Sequence, residues 1–430
     1  MSEQTTLGTG AGLPPRCPAA GFDQDPLGVL AEGHRRLGPV FRMTIDGVDT
    51  VLVGTCNGLG ELFAAERGRL EVLNTPLVHD LFGMALFNLA GSAHRAARRH
   101  LRPPLSNRAL PRYAEPLLEV AGPAAARWAA GPARDLYAAT RQVTLEMSAR
   151  VLLGIRSGEA DAEFFAAAFD RFVAATAAPG DRGRYLTAPY WTGLRARRRL
   201  RTLFARRALA AGREDLAAAF AGLVARFDGA PACAGSLADH LLALLIAARE
   251  TTASLITWCL VELARHPEHA ARAAVEARGA VAESGLLVRR EALPVLWSVL
   301  AETQRLHSPN LLSFRETVCP VTLGGHRVPA GARVAYSLSA GHFDPGVFPQ
   351  PQVFRPSRFL SGQASPARLW AFGGGVHACL GRPLAELMAL AVLVSVLNQG
   401  LPLLPNGPPA RVRYRPAKAP IDPLPFALDV

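Results

Sequence analysis

The ten residues FGGGVHACLG, Phe372 to Gly381, constrain this chain more than any other stretch. Four glycines and a histidine surround a single thiol, a frame that no disulfide requires. A cysteine at a glycine-lined turn ahead of a helix has two physical readings. It can be a small residue buried at a tight helix entry. It can also be a thiolate ligand, because helix N-terminal amides stabilise negative charge on sulfur and glycines let a flat, bulky cofactor approach the backbone. The spacing Phe372-x-x-Gly375-x-His377-x-Cys379-x-Gly381 favours the ligand. The chain's own frequencies of phenylalanine, glycine and cysteine give about 0.002 chance occurrences of the Phe, Gly, Cys, Gly spacing.

At these residues the sequence resembles the haem-thiolate monooxygenases, the cytochromes P450, of the soluble bacterial type. The resemblance implies haem b (iron protoporphyrin IX) with Cys379 as proximal iron ligand. It further implies that Phe372 packs beside the sulfur, that Gly373 belongs to the cofactor-binding loop, and that His377 reaches a haem propionate. A thiolate pushes electron density onto iron and favours O–O cleavage. One departure is Ala371, where family members often carry proline.

The resemblance makes further demands on the chain. Glu302 and Arg305 in AETQRLHSP share one helical face at i,i+3, a pair that by itself decorates many exposed helices. The family requires an E-x-x-R there and a later arginine, which FRPSRF supplies as Arg358. The three are expected to form a buried structural network. His94 and Arg98, one turn apart in GSAHRAARRHL, and Arg315 in NLLSFRETV read either as a solvated basic face or as partners for carboxylates, to which arginine bonds in a bidentate way. The family places propionate ligands at the positions matching His94, Arg98, Arg315 and His377. In AARETTAS, Arg249 and Glu250 interrupt an apolar helix, which is expensive unless they are partnered, reach a wet edge or do chemistry. The family has an acid–alcohol pair here that relays protons during dioxygen activation, and Glu250 and Thr251 match it as catalytic residues. Ala248 replaces the usual glycine.

Composition excludes several alternatives. Net charge is +12, and Lys418 is the only lysine, so the basic balance is an arginine bias that brings no arginine–aromatic platform for nucleic acid with it. The six cysteines, Cys17, Cys56, Cys233, Cys259, Cys319 and Cys379, show neither disulfide nor zinc spacing. The N-terminus lacks the order of a signal peptide, and the most apolar stretch carries two charges at its centre. A cytoplasmic protein with no membrane contact is expected.

Hydrophobic periodicity predicts a small N-terminal sheet from Ala31 to about Glu61, helices across roughly 92–230, at 236–266, 290–306 and 382–398, and a return to strands and turns between 318 and 360. The fold class is mainly α with a small β part, a cytochrome P450-like fold in one large domain, residues 25–430, behind a flexible segment 1–24. The function implied is insertion of one oxygen atom into an apolar small molecule, in specialised-metabolite biosynthesis. Val78, Leu81, Phe82, Met84, Phe87, Leu244, Ala247, Ala248, Leu311 and Leu312 would line the substrate pocket. With neither a flavin domain nor an iron–sulfur cluster in the chain, electrons must come from a partner, an acidic ferredoxin or flavodoxin with its reductase, to a monomer. A haem-thiolate peroxygenase or rearrangement enzyme and a non-catalytic haem sensor are the alternatives.

Overall fold

The computed structural model describes residues 12–131, 133–179, 182–210, 237–362, 364–409 and 411–429. In chain order the helices are α1 Pro26–Leu37, α2 Cys56–Arg69, α3 Pro76–Phe82, α4 Gly91–Leu101, α5 Pro111–Ala130, α6 Leu136–Leu153, α7 Ala160–Ala174, α8 Ala188–Ala210, α9 Leu237–Arg265, α10 Pro267–Ala282, α11 Pro294–Leu306, α12 Leu338–His342, α13 Ser357–Leu360 and α14 Arg382–Gln399. The strands are short, which makes the protein mainly α with a small β part. Two compact units are drawn from separated stretches. Met1–Leu73, Ser298–Cys379 and Val412–Ala419 make the first; Asn74–Trp297, Leu380–Arg411 and Pro420–Val430 make the second.

The first unit is built on a five-stranded sheet. Strands β1 Val40–Ile45 and β2 Val48–Val53 form a hairpin across Asp46 and Gly47, both with positive φ, the two-residue turn whose twist matches its strands. β3 Leu70–Val72, β4 Ser313–Thr317 and β7 Arg333–Tyr336 complete the order β1-β2-β7-β4-β3, and a separate β5–β6 hairpin (Val321–Leu323, His326–Val328) lies between them in sequence. Both faces of the sheet are covered, so side chains alternate between two cores. Val40, Val51, Val53 and Val334 pack with Leu59, Leu62 and Phe63 of α2. Phe41, Met43, Leu52 and Ala335 pack with Leu30 of α1.

The expected sheet does not begin at Ala31, which lies inside α1. Asp25 caps that helix by accepting the Gly28 amide at 3.0 Å, Pro26 opens it, and Gly38 at φ 93° closes it. Of the N-terminal segment, residues 1–11 lie outside the described residues. Pro15 and Cys17 exchange backbone hydrogen bonds of 2.7 Å with Arg42 on β1. Lys418 is buried, its ammonium donating to the Leu306 carbonyl at 3.0 Å and lying 2.9 Å from His307 Nδ1.

The second unit is organised by α9, whose limits agree with the predicted 236–266. It packs against α6 and α14, while α5 and α10 lie along α14 and α7 along α8. Thr140 of α6 and Thr257 of α9 share a buried hydroxyl hydrogen bond of 2.8 Å. Among the described residues α9 is the one helix long and apolar enough to cross a membrane, and 72% of its apolar window is buried inside the protein. A helix apolar on every side suits a position packed all round by other helices. Residues 211–236, which include the end of the predicted helical region 92–230, lie outside the described residues.

Leu260 on α9 has no solvent exposure. Leu260→Ala is expected to destabilise the protein by about 2–5 kcal/mol, the usual result of truncating a packed core leucine. A lowered midpoint in denaturant unfolding checks this, and an unchanged midpoint contradicts the packing described.

Candidate active site

In the first unit the residues from Trp370 to Cys379 form a tight loop. The Gly373 amide donates to Trp370 O at 2.7 Å, the Cys379 amide donates to Phe372 O at 2.9 Å, and Gly375–His377 make one 3-10 turn. The glycines have distinct reasons. A Cβ on Gly374 would stand 2.5 Å from the Phe63 ring, and one on Gly375, at φ 63°, would stand 2.8 Å from Phe63 O and 2.5 Å from a Glu66 carboxylate oxygen. The loop therefore lies flush on α2 and admits no side chain there. At Gly373, φ 68°, no atom lies within 4 Å of where a Cβ would be. Cys379 is exposed, while Phe372 and His377 are half-buried. An exposed cysteine on a loop whose glycine leaves one face open suits a flat thiolate-ligated group such as haem.

Glu66 of α2, fully buried, sits beneath this loop. It accepts the Arg315 guanidinium at 2.8 and 2.9 Å and the His377 amide at 3.4 Å. Burial pushes the Glu66 pKa above its ordinary value, against the opposing charge and hydrogen bond of Arg315 and the loop amides of Val376 and His377. Arg315 also donates to the Tyr336 hydroxyl at 3.1 Å and to Phe314 O at 2.9 Å. The predicted propionate ligand is thus already engaged by a carboxylate that nothing in ELFAAERGR marked out, since the segment reads as an ordinary exposed helix end.

The structure brings Glu302, Arg305 and Arg358 together with exposures of 0%, 0% and 1%. Arg305 donates to both Glu302 oxygens, at 2.8 and 2.9 Å, and Arg358 Nε donates to Glu302 Oε1 at 2.9 Å. The remaining guanidinium protons go to backbone carbonyls, among them His342 O at 3.0 Å, Pro351 O at 2.7 Å and Pro349 O at 3.0 Å. Burial lowers the Arg358 pKa, and Glu302 opposes that shift. His342, not foreseen from sequence, extends the network. Its Nδ1 lies 3.1 Å from Arg305 O and its Nε2 accepts the Trp370 amide at 3.0 Å, which fixes the neutral Nδ1–H tautomer. Burial, reinforced by the positive charge of Arg305, pushes its pKa down to about 3.

In the second unit α9 is buried on most sides around its centre, yet Leu244, Ala247, Ala248 and Thr251 form an accessible stripe at i, i+3, i+4, i+7. The Thr251 hydroxyl donates to Ala247 O at 2.6 Å. Glu250 is turned off this stripe and buried against α6. It accepts the Tyr137 hydroxyl at 2.8 Å on one oxygen and Arg141 at 2.8 and 2.9 Å on the other. Arg249 reaches Asp170 of α7 at 2.6 Å and stacks over Phe169. The two charges in the apolar helix are therefore matched chiefly by α6 and α7, and a longer ion pair of 3.9 Å joins Arg249 Nε to Glu250 Oε1. Arg141, Asp170 and Arg249 also line a cavity of about 360 Å³.

His94 is buried and Arg98 half-buried on α4, while Arg95 and Arg99 on α4 and Arg102 just after it are exposed. Of the expected pocket residues in this unit, Leu81 and Phe82 are buried, with Phe82 edge-on to Phe87 and Phe172; Val78 and Phe87 are half-buried and Met84 is exposed. Leu311, in the first unit, is buried in the core shared by Phe41 and Leu30, and Leu312 packs against the same cluster.

Residues 234–399 match the family model described as "Cytochrome P450". Abscisic acid 8'-hydroxylase 2 of Oryza sativa subsp. indica is 27% identical over 396 residues, 86% of this chain and 76% of that protein. Steroid 21-hydroxylase of Sus scrofa is 40% identical over 171 residues, 38% of this chain and 34% of that protein. The structure of a retinoic acid bound cyanobacterial CYP120A1 superposes with TM-score 0.81 at 23% identity, covering 97% of this chain and 99% of that one. The haem domain of cytochrome P450DA does so with TM-score 0.81 at 21% identity, covering 97% of each chain.

Neutral His342 implies acid lability of a definite sign. Below the ordinary value of 6.5 the unfolded chain takes up a proton that folded His342 refuses until about pH 3, so its contribution is intact above 6.5 and is lost as pH falls through that window. Burial holds His240 down, to about 4, in the same sense. The His342→Gln variant is expected to lose about 1.4 kcal/mol per pH unit from the slope of stability against pH. Denaturation measured from pH 7 down to the acid limit of solubility checks this; equal slopes in parent and variant contradict it.

Proposed function

The chain is a cytochrome P450, an oxidoreductase of the monooxygenase class, and from that premise we propose that it inserts one oxygen atom from dioxygen into an apolar small molecule of specialised metabolism. The observation that carries this reading is the accessible stripe on α9, where an alcohol, Thr251, stands next in sequence to a carboxylate, Glu250, that α6 holds in reserve. Haem b held through Cys379 would supply the activation of dioxygen. By the family resemblance, His94, Arg98, Arg315 and His377 are the residues to meet its propionates.

Within this reading each residue has a task for its own atoms. Thr251 holds a proton on Oγ1, now directed at the Ala247 carbonyl, that can be turned toward a water. Glu250, held as a carboxylate by Tyr137 and Arg141, would take a proton from solvent and pass it to that water once one of its oxygens leaves these partners. Leu244, Ala247 and Ala248 offer apolar surface beside them, and a pocket lined in this way binds a hydrophobic substrate through burial and little else. Of the other expected lining residues in this unit, Phe87 is half-buried and would add to such a surface, with Phe82 buried edge-on behind it.

A haem-thiolate peroxygenase or rearrangement enzyme, which needs no relay, has one observation in its favour. Both carboxylate oxygens of Glu250 are occupied by α6. Thr251→Ala separates the readings. A monooxygenase variant is expected to keep substrate affinity, because the hydroxyl adds little to an apolar pocket, and to divert reducing equivalents into hydrogen peroxide. Equal product per NAD(P)H in parent and variant, assayed with a surrogate reductase and ferredoxin, selects the alternative.

Electrons are assigned to an acidic ferredoxin or flavodoxin. The net charge of +12 and the exposed Arg95 and Arg99 on α4 and Arg102 at its C-cap support this partner. Transient redox encounters are steered by charge, and the Debye length shrinks to about 10 Å at 0.1 M salt. The reduction rate is therefore expected to fall steeply with ionic strength, and further in a variant reversing all three arginines. A rate indifferent to both refutes the assignment.

A further inference from the structure

Glu66 is not part of the Cys379 motif, the acid–alcohol pair or the Glu302 network, yet it is a buried carboxylate pressed against the cysteine loop. Its oxygens divide the work. Oε1 takes the Arg315 guanidinium, at 2.9 Å from Nε and 2.8 Å from Nη2, while Oε2 faces the loop, with the His377 amide at 3.4 Å and the Gly375 Cα too close to carry a side chain. Arg315 spends its other bonds on Tyr336 and Phe314, which leaves the second Nη1 proton without a protein acceptor among the described residues. The arginine can therefore still donate one hydrogen bond, but its charge is already balanced.

We propose that Glu66 is a positioning residue of the haem site, which locks the cysteine loop onto α2 and cancels the charge of Arg315 so that the thiolate-bound haem experiences a neutral pair there in place of a cation. The proposal rests on haem binding through Cys379. Two features set it apart from an ordinary core ion pair. The pair is almost free of solvent, so salt screens it little. One of its members also bonds the backbone two residues before the cysteine. A charge change at Glu66 thus reaches the cofactor both through space, in a medium of low dielectric, and through the loop.

The sign follows directly. Glu66→Gln removes one negative charge and leaves Arg315 as an uncompensated cation, which favours the ferrous state because reduction adds an electron. The reduction potential of the holoprotein, measured by spectroelectrochemistry, is expected to move to more positive values in E66Q, to less positive values in R315Q, and back toward the parent in the double variant E66Q/R315Q. The Soret band of the reduced carbon monoxide complex, recorded on every sample, reports separately whether the thiolate still binds iron; its absence in the parent would defeat the haem-thiolate reading itself, whereas its presence with an unmoved potential defeats only this proposal. If E66Q fails to retain haem, recovery of retention in E66Q/R315Q supports the proposal, because the fault is then the unpaired cation. Failure of the double variant to recover either haem or potential overturns it and leaves Glu66 with a packing role alone.

Discussion

Two guanidinium groups and one carboxylate with no access to water set the terms for the first unit. Charges moved out of solvent are tolerated only when every proton and lone pair finds a partner, and removing one member of such a group strands the rest. Glu302 cannot supply all the acceptors that Arg305 and Arg358 need, so the backbone from 342 to 353 is recruited to provide carbonyls. This is why a segment nearly devoid of regular structure holds one conformation. Its irregular path is the coordination shell of two arginines. The same path leads on through His342 to the Trp370 amide, so the shape of the cysteine loop is tied, bond by bond, to an acid on another helix.

The second unit solves a related problem by different means. A helix that must be apolar all round to sit among other helices also carries an arginine and a glutamate at its centre. Here the neighbours offset the desolvation penalty: Tyr137 and Arg141 of α6 satisfy Glu250, and Asp170 of α7 accepts from Arg249 Nη2, while Arg249 Nε has, among the described residues, only the charge of Glu250 at 3.9 Å. With Glu250 and Arg249 turned to α6 and α7, the stripe of Leu244, Ala247, Ala248 and Thr251 on α9 stays accessible.

What the sequence made legible follows the range of its signals. Helix limits at 237–265, 294–306 and 382–399 were readable because apolar periodicity and capping act within a few residues. The E-x-x-R pair and the cysteine frame were readable because fixed short spacings carry them. The β-branched runs after α1 suggest a sheet that begins at Ala31, whereas Asp25, Pro26 and Gly38 delimit a helix there. Glu66, His342, Tyr137 and Arg141 left no signal at all, for each acquires its meaning from a residue at least 37 positions away, 249 in the case of Glu66 and Arg315. Long-range polar complementarity is invisible to local pattern, and at a site made from several helices it is most of the design.

The burial of Lys418 has a practical side. A chain with a single lysine presents amine-directed reagents with almost nothing to attack besides its amino terminus, and the one ε-amino group is enclosed between Leu306 and His307. Surface immobilisation or cross-linking through lysine will leave the molecule largely untouched. Any acylation that does appear at residue 418 reports that the Val412–Ala419 segment has lifted from the end of α11, which gives the fold a built-in chemical clock for local opening.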